Sequence, residues 1–135
     1  MTGRFEQVEH TADLALRVFA ESLDELFATA ASAMFSQLAD LTRVVATSQV
    51  QVVLEAPGAE SLLVDWLNEL LYLHETRGEV YTEFTFDELS RRRLRATVGG
   101  GKAAQTYTII KAATYHDLSI REAHDGLVAT IVFDV

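Results

Sequence analysis

The chain has 135 residues, a length that suits one domain with a core of its own. An apolar fraction of 49% with a single proline excludes a disordered chain, and the absence of cysteine excludes a disulfide framework and a thiolate metal site. The net charge of −9 disfavours unaided binding to a phosphate backbone and suits a basic protein partner or a divalent cation.

The beginning of the chain predicts one strand and one helix after a short opening segment. Residues 5–9 form a short opening segment, and residues 14–20 alternate apolar side chains as a half-buried strand does. Ser22 and Glu25 have the spacing of a capping box. The helix that they begin carries one apolar stripe and should end near residues 39–40.

The strongest helical pattern follows a valine-rich strand predicted over residues 44–54 and a break at Pro57-Gly58. We expect this second helix to run from an N-cap at Ser61 to His74, with Gly78 as its stop. Its apolar positions recur every three or four residues, at Leu63, Trp66, Leu67, Leu70 and Leu71.

The opposite side of this helix is polar, because Asp65 and Glu69 lie one turn apart. They are either a solvated stripe or an acidic strip that faces a partner. The helix is too short and too often interrupted by polar residues to span a bilayer. Since no signal peptide precedes it either, we expect a soluble cytoplasmic protein with no membrane association.

The second half of the chain predicts strands. Gly99 to Gly101 read as a flexible turn and Asp125-Gly126 as the turn of a hairpin. The strands around these turns cover residues 80–86, 93–98, 106–115, 118–122 and 127–135. The whole chain, residues 1–135, is therefore expected to be one α+β domain, with two helices packed on a mostly antiparallel β-sheet sandwich.

The segment Glu9-His10-Thr11-Ala12-Asp13 is a first candidate site, because it places three potential metal-ligand or acid-base side chains at a junction before a strand. The alternative is a turn in which Thr11 or Asp13 bonds its own backbone. The last predicted strand ends in Asp134 and Val135, whose carboxylate and main-chain or terminal oxygens are hard donors. Placed beside Asp13, they would suit Ca²⁺ or Mg²⁺.

Two other clusters are weaker candidates. Tyr115-His116-Asp117 contains a base beside a carboxylate, but adjacent residues on a strand point to opposite faces. The cationic run Arg91 to Arg93, with Arg95, is better explained as a solvated turn than as an RNA contact.

Four motifs together resemble the archease family, in that family's order and over nearly the whole chain. They are Glu9-His-Thr-Ala-Asp13, Leu63-Val-Asp-Trp-Leu-Asn-Glu-Leu-Leu-Tyr72, Lys111-Ala-Ala-Thr-Tyr-His116 and Phe133-Asp-Val135. The resemblance implies a protein that is not itself an enzyme. Its expected partner is an RtcB-type RNA ligase, whose guanylylation and multiple turnover it would promote in tRNA splicing and RNA repair. RNA would be contacted only through the ligase.

The resemblance also implies the roles of individual residues. Asp13, Asp134 and Val135 match the ligands of a divalent cation, expected to be Ca²⁺. Lys111 matches a lysine required for activation, and His10 and Glu9 are expected to lie just behind the ligands. Two alternatives stay open: a general chaperone-like modulator, and a cation-dependent hydrolase that uses His10 as its base.

Overall fold

Two antiparallel sheets and two helices make up the fold. The computed structural model describes residues 3–8 and 13–135. The helices are α1 (Leu23–Leu38) and α2 (Ala59–Arg77), with a 3₁₀ turn at Leu41–Arg43. The strands in these residues are β1 (Arg4–Val8), β2 (Leu14–Ala20), β3 (Ser48–Glu55), β4 (Glu79–Leu89), β5 (Arg93–Lys102), β6 (Ala112–Ala113), β7 (Ser119–Ala123) and β8 (Gly126–Asp134).

The larger sheet has the order β1-β2-β8-β6, and β7 also pairs with β8. β7 pairs with residues 126–130 of β8, while β6 pairs with residues 133–134 at the other end. The smaller sheet has the order β3-β5-β4. Strand β8 is thus central, and its last residues lie between β2 and β6.

Both helices contact both sheets. Helix α1 contacts β2 and β8 on one side and β4 on the other, and α2 contacts β6 and β7 as well as β3 and β4. The predicted α+β fold, with two helices packed on mostly antiparallel sheets, is confirmed. Neither helix of the described residues is long and apolar enough to cross a membrane.

Trp66 joins three elements at the centre of the core. Its side chain is fully buried, and its indole nitrogen donates a hydrogen bond to the main-chain oxygen of Phe27 in α1 at 3.0 Å. The ring packs against Phe84 and Phe86 of β4, with centroids 5.9 and 5.5 Å apart. Burying so large an aromatic side chain is a major source of stability for α2.

The helix ends confirm two predictions and overturn a third. Ser22 caps α1, because its hydroxyl accepts from the main-chain N–H of Glu25. Gly78 ends α2 in a left-handed conformation, with φ of 68°. The prediction of an N-cap at Ser61 is wrong: the N-cap is Gly58, three residues earlier, and α2 begins at Ala59.

The glycine triplet is a second correction. Gly99 to Gly101 are not a turn but buried residues of β5. All three pair with β4, and Gly99 and Gly100 also pair with β3. The reason for glycine is close approach. A Cβ on Gly100 would overlap the main-chain oxygen of Val80 and lie 2.7 Å from the Cα of Tyr81.

Two predicted strands are shorter in the structure. The strand predicted over residues 44–54 begins at Ser48, since the 3₁₀ turn and its exit occupy the preceding residues. Of the strand predicted over residues 106–115, only Ala112 and Ala113 pair. This segment connects β5 in one sheet to β6 in the other, so it cannot remain in a single ladder.

Candidate functional site

The register of β2 and β8 places Asp13 and Asp134 at the same corner of the larger sheet. Leu14 lies opposite Phe133, so Asp13 precedes this pair and Asp134 follows it. Leu14 and Phe133 are both buried, and side chains alternate along a strand, so the two aspartates belong to the opposite, outer face. Asp134 is exposed and Asp13 is half-buried.

Lys111 reaches the same corner from the other side of β8. Its main-chain N–H donates to the carbonyl of Asp134 at 2.8 Å, and Ala112 lies opposite Asp134 in the register. Asp134 is therefore flanked by Asp13 on one side and by the main chain of Lys111 on the other. The Lys111 side chain is exposed and lines a groove against α2.

Asn68 of α2 holds this part of the chain in place, a role that sequence reasoning missed. Its side-chain amide donates to the carbonyl of Ala113 at 3.1 Å and accepts from the N–H of Ala113 at 2.7 Å. The amide thus pairs with β6 as a neighbouring strand would. The sequence feature that could have indicated this role is a single amide side chain among the apolar positions of the predicted helix.

The donor set at this corner consists of hard oxygens. Two carboxylates come from Asp13, just before β2, and Asp134, at the end of β8, and Val135 adds main-chain oxygens. Among residues 3–8 and 13–135, no three His, Asp or Glu side chains form a metal-binding group. Carboxylate and main-chain oxygens are the kind of donor that Ca²⁺ and Mg²⁺ accept. His10 and Glu9 lie outside the described residues, so their predicted positions behind the ligands stay predictions.

The two weaker clusters have structural explanations. His116 and Asp117 lie in a turn instead of a strand, with Nε2 of the histidine 3.4 Å from the carboxylate. The arginine run forms the β4–β5 hairpin, where the Ser90 hydroxyl accepts from the main-chain N–H groups of Arg92 and Arg93. Glu55 and Glu88 lie within 3.9 Å of Arg93, as expected for a solvated turn.

A second polar cluster, also missed from the sequence, surrounds Glu79 at the start of β4. Its side chain is only 7% exposed. Its carboxylate accepts from Nε of Arg77 at 2.7 Å and from the hydroxyl of Tyr81 at 2.9 Å. The second η nitrogen of Arg77 donates to the Ser48 hydroxyl at 3.1 Å, which ties the end of α2 to β3.

Burial and hydrogen bonding shift the pKa values in this cluster. Burial alone would raise the pKa of Glu79, but hydrogen bonds from Arg77 and Tyr81 outweigh it and hold that pKa below its ordinary value. Burial and the hydrogen bond to Glu79 raise the pKa of Tyr81 to about 12. At neutral pH the carboxylate is therefore ionised and the phenol is protonated.

The lowered pKa predicts a pH dependence of stability. A carboxylate whose pKa is lower in the folded state stabilises the fold above its ordinary pKa of 4.5, and this contribution is lost as pH falls through the folded value. Between pH 6 and pH 3, the melting temperature of the wild type should fall more steeply than that of Glu79→Gln. Circular dichroism at half-unit pH intervals would measure both. Parallel curves would contradict the assignment.

Comparison of the sequence with known proteins identifies related proteins. The sequence profile of the Archease protein family matches residues 5–135. The archease of Methanosarcina mazei is 34% identical over 140 residues, covering 98% of this chain and 96% of its own. The archease of Methanopyrus kandleri is 32% identical over 138 residues, covering 97% and 99%.

Solved structures agree with this. The solution structure of a Methanobacterium thermoautotrophicum protein superposes with a TM-score of 0.75 at 30% identity, covering 97% of this chain and 98% of that one. A crystal structure from Thermotoga maritima, described as an archease and possible chaperone, gives 0.69 at 25% identity, covering 96% of each chain. The four motifs, the two-sheet fold and these relatives agree, and the chain belongs to the archease family.

Proposed function

We propose that this archease is a non-enzymatic, cytoplasmic activator of an RtcB-type RNA ligase, promoting its guanylylation and multiple turnover in tRNA splicing and RNA repair. The observation that supports this most is the meeting of three family-motif residues at one corner of the larger sheet. Asp134 ends β8, and Asp13 and Lys111 each lie one residue before a strand that pairs with β8, although the three are far apart in sequence.

In this proposal the corner holds a divalent cation, which hard oxygen donors suit, and the family resemblance implies that the cation is Ca²⁺. The ligands are the carboxylates of Asp13 and Asp134 and main-chain oxygen of Val135. When bound, the ion supplies concentrated positive charge that neutralises the two carboxylates and attracts phosphate oxygen.

The protein's own residues do the remaining work. The net charge of −9 steers the protein toward a basic surface on the ligase. Lys111 is exposed and follows the segment that crosses between the sheets, so its ammonium is available to a phosphate or a ligase carboxylate. Asn68 fixes β6 on α2 and thereby limits where Lys111 can move.

A lysine pair provides the test. The chain contains two lysines, Lys102 and Lys111, and both are exposed. With purified ligase and a 3′-phosphate RNA substrate in excess, the wild type should convert stoichiometric ligation into multiple turnover. Lys111→Ala should lose that stimulation by roughly tenfold or more, about 1.4 kcal/mol. Lys102→Ala, which loses one exposed hydrogen bond to the carbonyl of Arg77, should retain it.

Each alternative has its own outcome in the same assays. Equal stimulation by the wild type and Lys111→Ala would contradict the assigned role of the lysine, and no stimulation by the wild type would contradict the proposed function. Suppression of aggregation of an unrelated protein, without ligase stimulation, would indicate a general chaperone. Turnover of phosphoesters by the protein alone would indicate a hydrolase.

A further inference from the structure

A groove runs between α2 and the segment that crosses from β5 to β6. Its volume is about 550 Å³, within the usual range for binding sites. Buried Leu71 and Ile110 lie at its base. Tyr72 and Ile109 line it while remaining 59% and 73% exposed. Two large exposed apolar side chains facing one concavity are typical of an interaction site.

The groove carries opposite charges. Lys111 lines it close to β6, where Asn68 holds Ala113. Glu75, also in its lining, lies two helical turns beyond Asn68, about 10 Å along the helix axis. An extended peptide covers that distance with about three residues. The dimensions and charges therefore suit a short peptide with a defined direction.

We infer that this groove binds an extended segment of the ligase. This inference rests on the function proposed above. An apolar side chain of that segment lies over Leu71 and Ile110, between Tyr72 and Ile109. An arginine or lysine of the segment meets Glu75, and an acidic group or main-chain carbonyl meets Lys111. The groove then supplies affinity, and the neighbouring Asp13–Asp134 corner is presented to the ligase.

Charge favours this occupant over a second copy of the chain. Two copies, each with a net charge of −9, repel one another as they approach. A basic partner gains from the same charge, and Glu75 gives it a specific contact. Lys111 belongs both to the groove and to the proposed activation site, so one partner can engage both at once.

Two pairs of variants test the inference. Ile109→Asp places a charge in the groove, and Val53→Asp places one on β3, where the valine is 67% exposed. Glu75→Lys and Asp87→Lys make the same charge change at two exposed sites, one in the groove and one on β4. The dissociation constant for immobilised ligase should rise at least tenfold for the groove variants and less than twofold for their controls. Saturating concentrations of the groove variants should restore full stimulation.

The other outcomes are equally specific. An unchanged dissociation constant for the groove variants, with normal stimulation by the wild type, would overturn the groove inference and leave the proposed function standing. Equal losses of ligase affinity in the groove and control variants would also overturn the inference, because they would indicate that binding depends only on net charge. Weaker self-association of Ile109→Asp with unchanged ligase binding would identify a second copy as the occupant. Absence of ligase binding by the wild type would overturn both.

Discussion

Replacing Asp134 or Asp13 by alanine should strongly reduce ligase stimulation while leaving the fold intact. Neither side chain belongs to the buried core, because Asp134 is exposed and Asp13 is half-buried at the end of the β2–β8 ladder, so the fold should tolerate their removal. Loss of one of two carboxylates removes a charged ligand from the proposed cation site. Since even residues that only support a metal ligand contribute 10–100-fold, we expect stimulated turnover to fall by roughly tenfold at least.

Asp125→Ala is the matched control for this prediction. Asp125 is also an exposed aspartate, but it lies in the turn before β8, at the opposite end of the strand from Asp134. Calcium binding, measured by isothermal titration calorimetry, should be lost in Asp13→Ala and Asp134→Ala and kept in Asp125→Ala. Full stimulation by both site variants would rule out the corner as the activating site.

Replacing Gly100 by alanine should destabilise the protein by about 3 kcal/mol or more, at the upper end of the usual cost of overpacking. The new methyl group would overlap the carbonyl oxygen of Val80, lie 2.7 Å from the Cα of Tyr81 and lie 2.9 Å from a ring carbon of Tyr81. Two of these contacts are with backbone of the paired strand. Relief therefore requires β4 and β5 to separate. Chemical denaturation would measure the loss.

Gly99→Ala and Gly58→Ala are its controls. At Gly99 the closest atom is a carboxylate oxygen of Glu83, 2.9 Å away at the end of a flexible side chain. At Gly58 nothing lies within 4 Å. Both variants should change the free energy of unfolding by less than about 1 kcal/mol. A Gly100→Ala protein as stable as these two would indicate that the triplet is not buried between β3 and β4.

The sequence predicted correctly those helices, strands and turns whose residues carry a clear local pattern. The stripe of α1, the alternation of β2 and the hairpin before β8 all appear close to their expected bounds. The prediction of a turn at the glycine triplet was wrong because the sequence does not distinguish a glycine required by close packing from one required by a turn. The prediction of one strand over residues 106–115 was wrong because β-branched composition does not reveal that a segment crosses from one sheet to the other.

The candidate site shows the same division. The family resemblance implied that Asp13 and Asp134 share a site, and the register places both residues at the same end of the β2–β8 ladder. The contact between the main chains of Lys111 and Asp134 required knowledge of how β6 pairs, which two residues of sequence cannot supply. The roles of the Glu79 cluster and of Asn68 could not be predicted because they depend on contacts with residues far away in sequence, such as Ser48 and Ala113. Calcium binding and ligase activation stay predictions.

The position of Trp66 gives these experiments a built-in optical reporter. It is the single tryptophan of the chain, and it lies where α1, α2 and β4 meet. Its fluorescence emission should shift to longer wavelength only when the core admits water. Substitutions at the aspartate corner or in the groove should leave the emission maximum unchanged, whereas Gly100→Ala should move it. One spectrum thus separates a loss of activity from a loss of folding.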